Sequence, residues 1–167
     1  MAGLIAYTAG VSGLDFVPQD AVMTLPATTA ATKGQIWSVV PTTVDGSLRW
    51  TTLAAPATAD FSQATNTFAR RFFCVALQDV AAPSSGAATV RVRFRGVVDA
   101  QITTTSVAIG DFLRPTDSGT SQGLSEQSTG NAGGILVVAQ ALEANTVAGA
   151  VKKVLFDGID GFGVVIT

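Results

Sequence analysis

At 167 residues the chain suits one domain, and area scaling allows about 69% of its unfolded surface to be buried, enough for a real core. Hydrophobic residues make up 47% and charged residues only 13%, about half the usual share, so the chain is too apolar to be disordered and poor in surface charge. It has no histidine and one cysteine, Cys74, which excludes the usual zinc, haem and copper ligand sets, a Ser-His-Asp or Cys-His triad and an internal disulfide, while a net charge of −2 argues against nucleic acid as a partner.

Residues 1–35 mix short apolar pieces with glycine, proline and a Thr/Ala tract. They read as an extended N-terminal arm with one or two short strands, ahead of a single β domain over residues 36–167. The opening MAGLIAYTAGVSG has no basic region, so it does not read as a secretory signal, and no apolar run reaches the 18 residues of a membrane span. Leu4, Ile5 and Tyr7 are the arm's candidate partner contacts.

Ile36–Val40 and Leu48–Leu53 are strand candidates joined by Asp45-Gly46, a hairpin turn signal. They would set Trp37 and Trp50 on facing strands as ordinary core or cross-strand aromatics. Phe61, Ala64, Phe68 and Phe72 fall at helical spacing, with Asp60 placed to cap a short helix ending near Arg70-Arg71. Beyond Arg71 the β signal dominates. Phe72–Val80 is a buried strand, and in Val90–Val98 the residues Val90, Val92 and Phe94 alternate with Arg91, Arg93 and Arg95. Gln101–Ile109 is threonine-rich and β-branched, and Phe112–Arg114 is stopped by Pro115. Ser118–Gly134 is a polar loop long enough that part of it, around Leu124, is expected to pair as a short strand. Ile135–Leu142 and Val151–Phe156 are the last strands. The sum is an all-β chain, a small antiparallel barrel or sandwich (tulip-like or jelly-roll), with at most one short helix.

Motifs that carry chemistry are scarce. Gly119-Thr120-Ser121-Gln122-Gly123 spells a G-x-S-x-G elbow, but its flanks are loop-like and there is no histidine to act as base. Asp157 and Asp160 each adjoin a glycine and read as turn residues rather than as paired catalytic carboxylates or a calcium site. Cys74 lies in an apolar strand and reads as a small buried hydrophobe. No nucleotide-binding fingerprint is present. The row Arg91, Arg93, Arg95 is the one charge feature with shape. It is either a solvated strand face or a contact row for an acidic partner.

Four short pieces together resemble the capsid cement, or head decoration, proteins of tailed bacteriophages. They are Val75-Ala76-Leu77, Gly96-Val97-Val98, Ile109-Gly110-Asp111-Phe112-Leu113 and Ala139-Gln140-Ala141-Leu142-Glu143-Ala144. The likeness covers roughly residues 72–156, with Cys74 standing where the family pattern has glycine. It implies a non-enzymatic β protein, without cofactor or metal, made in the bacterial host cytoplasm and bound to the outer surface of the assembled capsid. Its partners would be the major capsid protein and copies of itself, as a homotrimer or a dimer, with neither nucleic acid nor membrane involved. A mean hydropathy of +0.41 with so little charge agrees with a surface covered by partners. The alternative is a phage fibre or tail β module that binds a host receptor or glycan.

Overall fold

The computed structural model describes residues 18–44, 47–57, 62–63, 72–116, 122–127 and 134–165. Among these there is no helix and there are twelve strands: β1 (Gln19–Thr24), β2 (Ile36–Val44), β3 (Ser47–Ala54), β4 (Ser62–Gln63), β5 (Phe72–Ala76), β6 (Thr89–Ile102), β7 (Phe112–Pro115), β8 (Leu124–Glu126), β9 (Gly134–Val137), β10 (Ala139–Ala141), β11 (Ala150–Asp157) and β12 (Gly163–Val165). Nine of them share one sheet in the order β1-β3-β2-β5-β6-β11-β10-β7-β8, and both β1 and β8 pair back onto β6. The first return closes β1, β3, β2, β5 and β6 into a five-stranded barrel. The second brings β6, β11, β10, β7 and β8 round into another ring, so β6 belongs to both. β12, β9 and β4 form a separate three-stranded sheet.

The 14 residues of β6 explain this arrangement. Its even-numbered side chains are buried from Val90 to Ile102, with Phe94 only partly so. Val90 and Val92 fill the barrel with Met23, Leu25, Trp37, Val39, Leu53, Cys74 and Ala76. Val98, Ala100 and Ile102 pack a second core with Phe73, Val75, Leu113, Leu124, Val154 and Phe156. Gly96 lies between the two sets with a φ of 112°, a backbone state that a Cβ strongly disfavours, so one strand passes from one core to the other at a glycine. β6 pairs with β1 and β5 up to Arg95 and with β11 from Arg95 onward.

β5 sits between the cores. Phe73 and Val75 face one, Cys74 and Ala76 the other, and a strand buried on both faces reads as an unbroken apolar run. Burial pushes the Cys74 thiol upward, so it stays a protonated small hydrophobe.

Several expectations need correction. Within residues 18–35 the expected short strand forms as β1, but the segment is packed rather than loose: β1 closes the barrel against β6, and Met23, Leu25 and Ala31 are buried in it. Residues 1–17, with Leu4, Ile5 and Tyr7, lie outside the described residues. So does most of the expected helix, and its described pair Ser62–Gln63 is β4, bonded to β9. The Phe72 strand ends at Ala76, and Val80 makes only a bridge to Ala31. Gln101–Ile109 is not one strand. β6 ends at Ile102, where the Thr103 amide and hydroxyl both donate to the Leu124 carbonyl and turn the chain. Ile135–Leu142 divides at Val138 because β9 joins the small sheet whereas β10 joins β7 and β11. The hairpin of β2 and β3 forms as expected, with Val44 opposite Ser47. Leu124 begins a short strand inside the polar loop, also as expected.

One close approach locks β5 to the end of β11. The Phe73 amide donates to the Gly158 carbonyl, and the Gly158 amide to that of Phe94. A Cβ on Gly158 would sit 1.9 Å from the Phe73 oxygen, a backbone atom that cannot swing away. Gly158→Ala is therefore expected to destabilise the fold by about 2–3 kcal/mol or more, the cost of overpacking against fixed backbone. Urea unfolding checks this, and a change below about 1 kcal/mol would show that the junction is not rigid.

Candidate interaction surface

The outward face of β6 carries the arginine row, and most of that row is turned to the chain's own use. Arg93, directly opposite Asp20 in the register, grips it with two bonds, Nε to Oδ1 at 2.7 Å and Nη2 to Oδ2 at 3.0 Å. Arg93 also donates to the Val97 carbonyl, so one side chain ties β1 to β6 and braces the segment around Gly96. Arg95 pairs with Asp157, its cross-strand neighbour on β11, and with Asp160 in the following turn. Asp157 in turn accepts from the amides of Ile159 and Asp160, which makes the turn expected from the sequence an acidic cap on an arginine. Arg91 differs. It reaches Asp20 only at 3.9 Å and is 63% exposed, against 22% for Arg93 and 21% for Arg95. Of the three, Arg91 is the most exposed to solvent.

Further along β6 the same face continues across β11 as Val97 opposite Leu155, Asp99 opposite Lys153, and Gln101 opposite Val151. Asp99 is held between Lys33 at 3.0 Å and Lys153 at 3.5 Å. Val97 and Val151 are large apolar side chains left in solvent on either side of this ion cluster.

A second exposed group lies where two of the resemblance-bearing pieces meet. Gly110 donates to the Ala141 carbonyl, Ala141 to that of Asp111, and the Gln140 side chain to that of Gly110. The buried Asn145 side chain stitches the adjoining loops, donating to the carbonyls of Thr104 and Val147. Ile109, Leu142 and Val147 project from these loops into solvent. These two pieces thus form a backbone joint. Trp37 is buried in the barrel, while Trp50 lies partly exposed, edge-on to Phe72 at 5.1 Å. Of the G-x-S-x-G string, Gly119 to Ser121 lie outside the described residues, and Gly123 is seated against the Gln101 carbonyl. No cluster of three or more His, Cys, Asp or Glu suited to a metal occurs among the described residues.

No family model and no curated protein sequence matches the chain. In fold it is similar to the head fiber gp8.5 N base in bacteriophage phi29, with a TM-score of 0.51 and 12% identity, covering 89% of this chain and 100% of that one. At that identity the likeness is one of fold.

The Arg93 hydrogen bond is the main cause that holds the Asp20 carboxyl below its ordinary value of 3.8, against the opposing pull of partial burial. With a folded value below the unfolded one, the pair's stabilisation is complete above about pH 3.8 and is lost as the pH falls through the folded value. Asp20→Asn is expected to lower stability at neutral pH by an amount on the order of 1 kcal/mol, with the deficit shrinking in acid. Urea midpoints at neutral pH and near pH 3 test this, and a deficit that does not depend on pH would assign the effect to packing.

Proposed function

We propose that the chain is a structural protein of a tailed-phage head that binds the outer surface of the assembled capsid and cements contacts between major capsid protein subunits. The observation that carries this reading is the agreement of two separate likenesses, short sequence motifs similar to those of capsid cement proteins and a fold similar to the base of a phage head fiber. The physical character of the surface supports it. Isolated aliphatic side chains stand on stitched loops and on a strand face, Arg91 is the readily available cation of its row, and little other charge opposes burial against a partner. Such a protein acts by binding the mature shell more tightly than its precursor, so its contact free energy stabilises that state without catalysis or a cofactor. Its site is the virion exterior, reached after synthesis in the host cytoplasm.

The fibre half of the neighbour's description favours a second reading, a fibre-base or tail module with a receptor- or glycan-binding role. Stoichiometry separates the two. Quantitative mass spectrometry of purified particles is expected to give copies in fixed ratio to the coat protein, in the hundreds per particle. A dozen or fewer would favour the fibre or tail reading.

A substitution tests the surface. Arg91→Gln is expected to leave thermal stability nearly unchanged, within about 0.5 kcal/mol, yet to lower occupancy on particles that lack the native protein. Full occupancy with Arg91→Gln would remove Arg91 from the interface.

A further inference from the structure

The strand that closes the barrel leads into a strained turn. β1 is bonded to β6 over six residue pairs but to β3 at only one, Thr24 with Thr52. Met23 is its one fully buried side chain, Leu25 is buried just beyond it, and Asp20 is gripped by Arg93. After Leu25 the chain reverses at Pro26–Thr29. Thr28 stands there at a φ of 54°, the one residue other than glycine with positive φ among the described residues. A β-branched side chain disfavours that left-handed state, which glycine adopts freely. The turn closes on a long bond, the Thr29 amide donating to the Pro26 carbonyl at 3.3 Å, and Ala27 and Thr28 at its tip are exposed. The Thr28 amide donates to the Gly86 carbonyl, itself in an exposed loop. Beyond the turn the chain is anchored again where buried Ala31 bridges to Val80.

We infer that copies of the chain exchange β1: the turn at Thr28 straightens, and Gln19–Leu25 of one copy takes the place of the same residues in the barrel of another. The occupant is specified by the place it fills. That place offers the fork of Arg93 to a carboxylate, the backbone of β6 to six residues in register, and two core positions to Met23 and Leu25. The sequence that meets all three is Gln-Asp-Ala-Val-Met-Thr-Leu, and a second copy carries it. Because each contact broken in one copy is re-formed in the other, the contacts of β1 and Leu25 cancel. What remains in favour of exchange is relief of the strain at Thr28, once in each copy. Against it stand the Thr28 bond to Gly86 and the proximity of the chain's own strand, so exchange rises with concentration. Nothing in this depends on the capsid reading.

Covalent trapping tests it on the full chain without particles. Val22 and Arg91 stand directly opposite across β1 and β6, and both are exposed, so cysteines at these positions meet at disulfide distance whichever chain supplies β1. Val22→Cys and Arg91→Cys are made as separate chains, mixed at about 100 µM, incubated for days and then oxidised. The expected product has twice the 17.0 kDa chain mass, with position 22 of one chain joined to position 91 of the other by peptide mass spectrometry. Both substitutions in one chain, which link within a monomer, verify the geometry. Thr28→Gly, placed in both partners, removes the strain and is expected to lower the yield of the mixed product by about tenfold or more. Thr28→Pro, which cannot take a positive φ, is expected to raise it. A mixture that gives no 22-to-91 link while the doubly substituted chain does, or a yield indifferent to Thr28→Gly, overturns the inference. That result with hundreds of copies on particles would leave the capsid reading standing, and the reverse outcome would remove only that reading.

Discussion

A single strand that belongs to two closed sheets is the constraint on which the rest of the molecule depends. β6 supplies a wall to each ring, and its inward residues keep one parity through all 14 positions. A slip of one residue would put arginines into the barrel and valines into solvent at the same time. The chain tolerates so long a strand, more than twice the usual five to six residues, because Gly96 lets it turn between the cores. β5 and the Gly158 carbonyl then fix the junction, leaving it no room to relax.

Ion pairs on this fold act as fasteners at places where the sheet would otherwise be weakest. β1 meets β3 at one parallel pair, Thr24 with Thr52, so the barrel closes chiefly through β1 and β6, where Arg93 holds Asp20. The second ring returns to β6 at one parallel pair, Ile102 with Leu124, where Thr103 bonds the Leu124 carbonyl twice. Half-exposed ion pairs add little to overall stability. Their geometric effect is larger, since a bidentate arginine specifies register as well as proximity.

That division of labour bears on function. A row of three arginines looks like one electrostatic feature, but two are spent inside the molecule and only Arg91 remains readily available. Among the described residues, the surface exposes isolated aliphatic side chains and small charge groups.

The β class, the hairpin around Asp45-Gly46, the alternation of Val90 to Arg95 and the short strand at Leu124 were all legible in the sequence, because each is set by local periodicity or turn chemistry. So was the burial of Cys74, from its apolar neighbours. The role of residues 18–35 was not legible. A polar-flanked segment such as Gln19–Thr24 looks peripheral until its partner strand is known, and that partner lies about 70 residues away. Nor did the sequence show that Asp20 and Asp157 would take Arg93 and Arg95, since charge pairing across a sheet depends on register. By itself the sequence determined which residues seek burial and which strands they make. Only the tertiary structure decided which strands meet, and therefore which charges are neutralised and which stay exposed, because hydrogen-bonded pairing between distant strands is selected by the packing of both cores together.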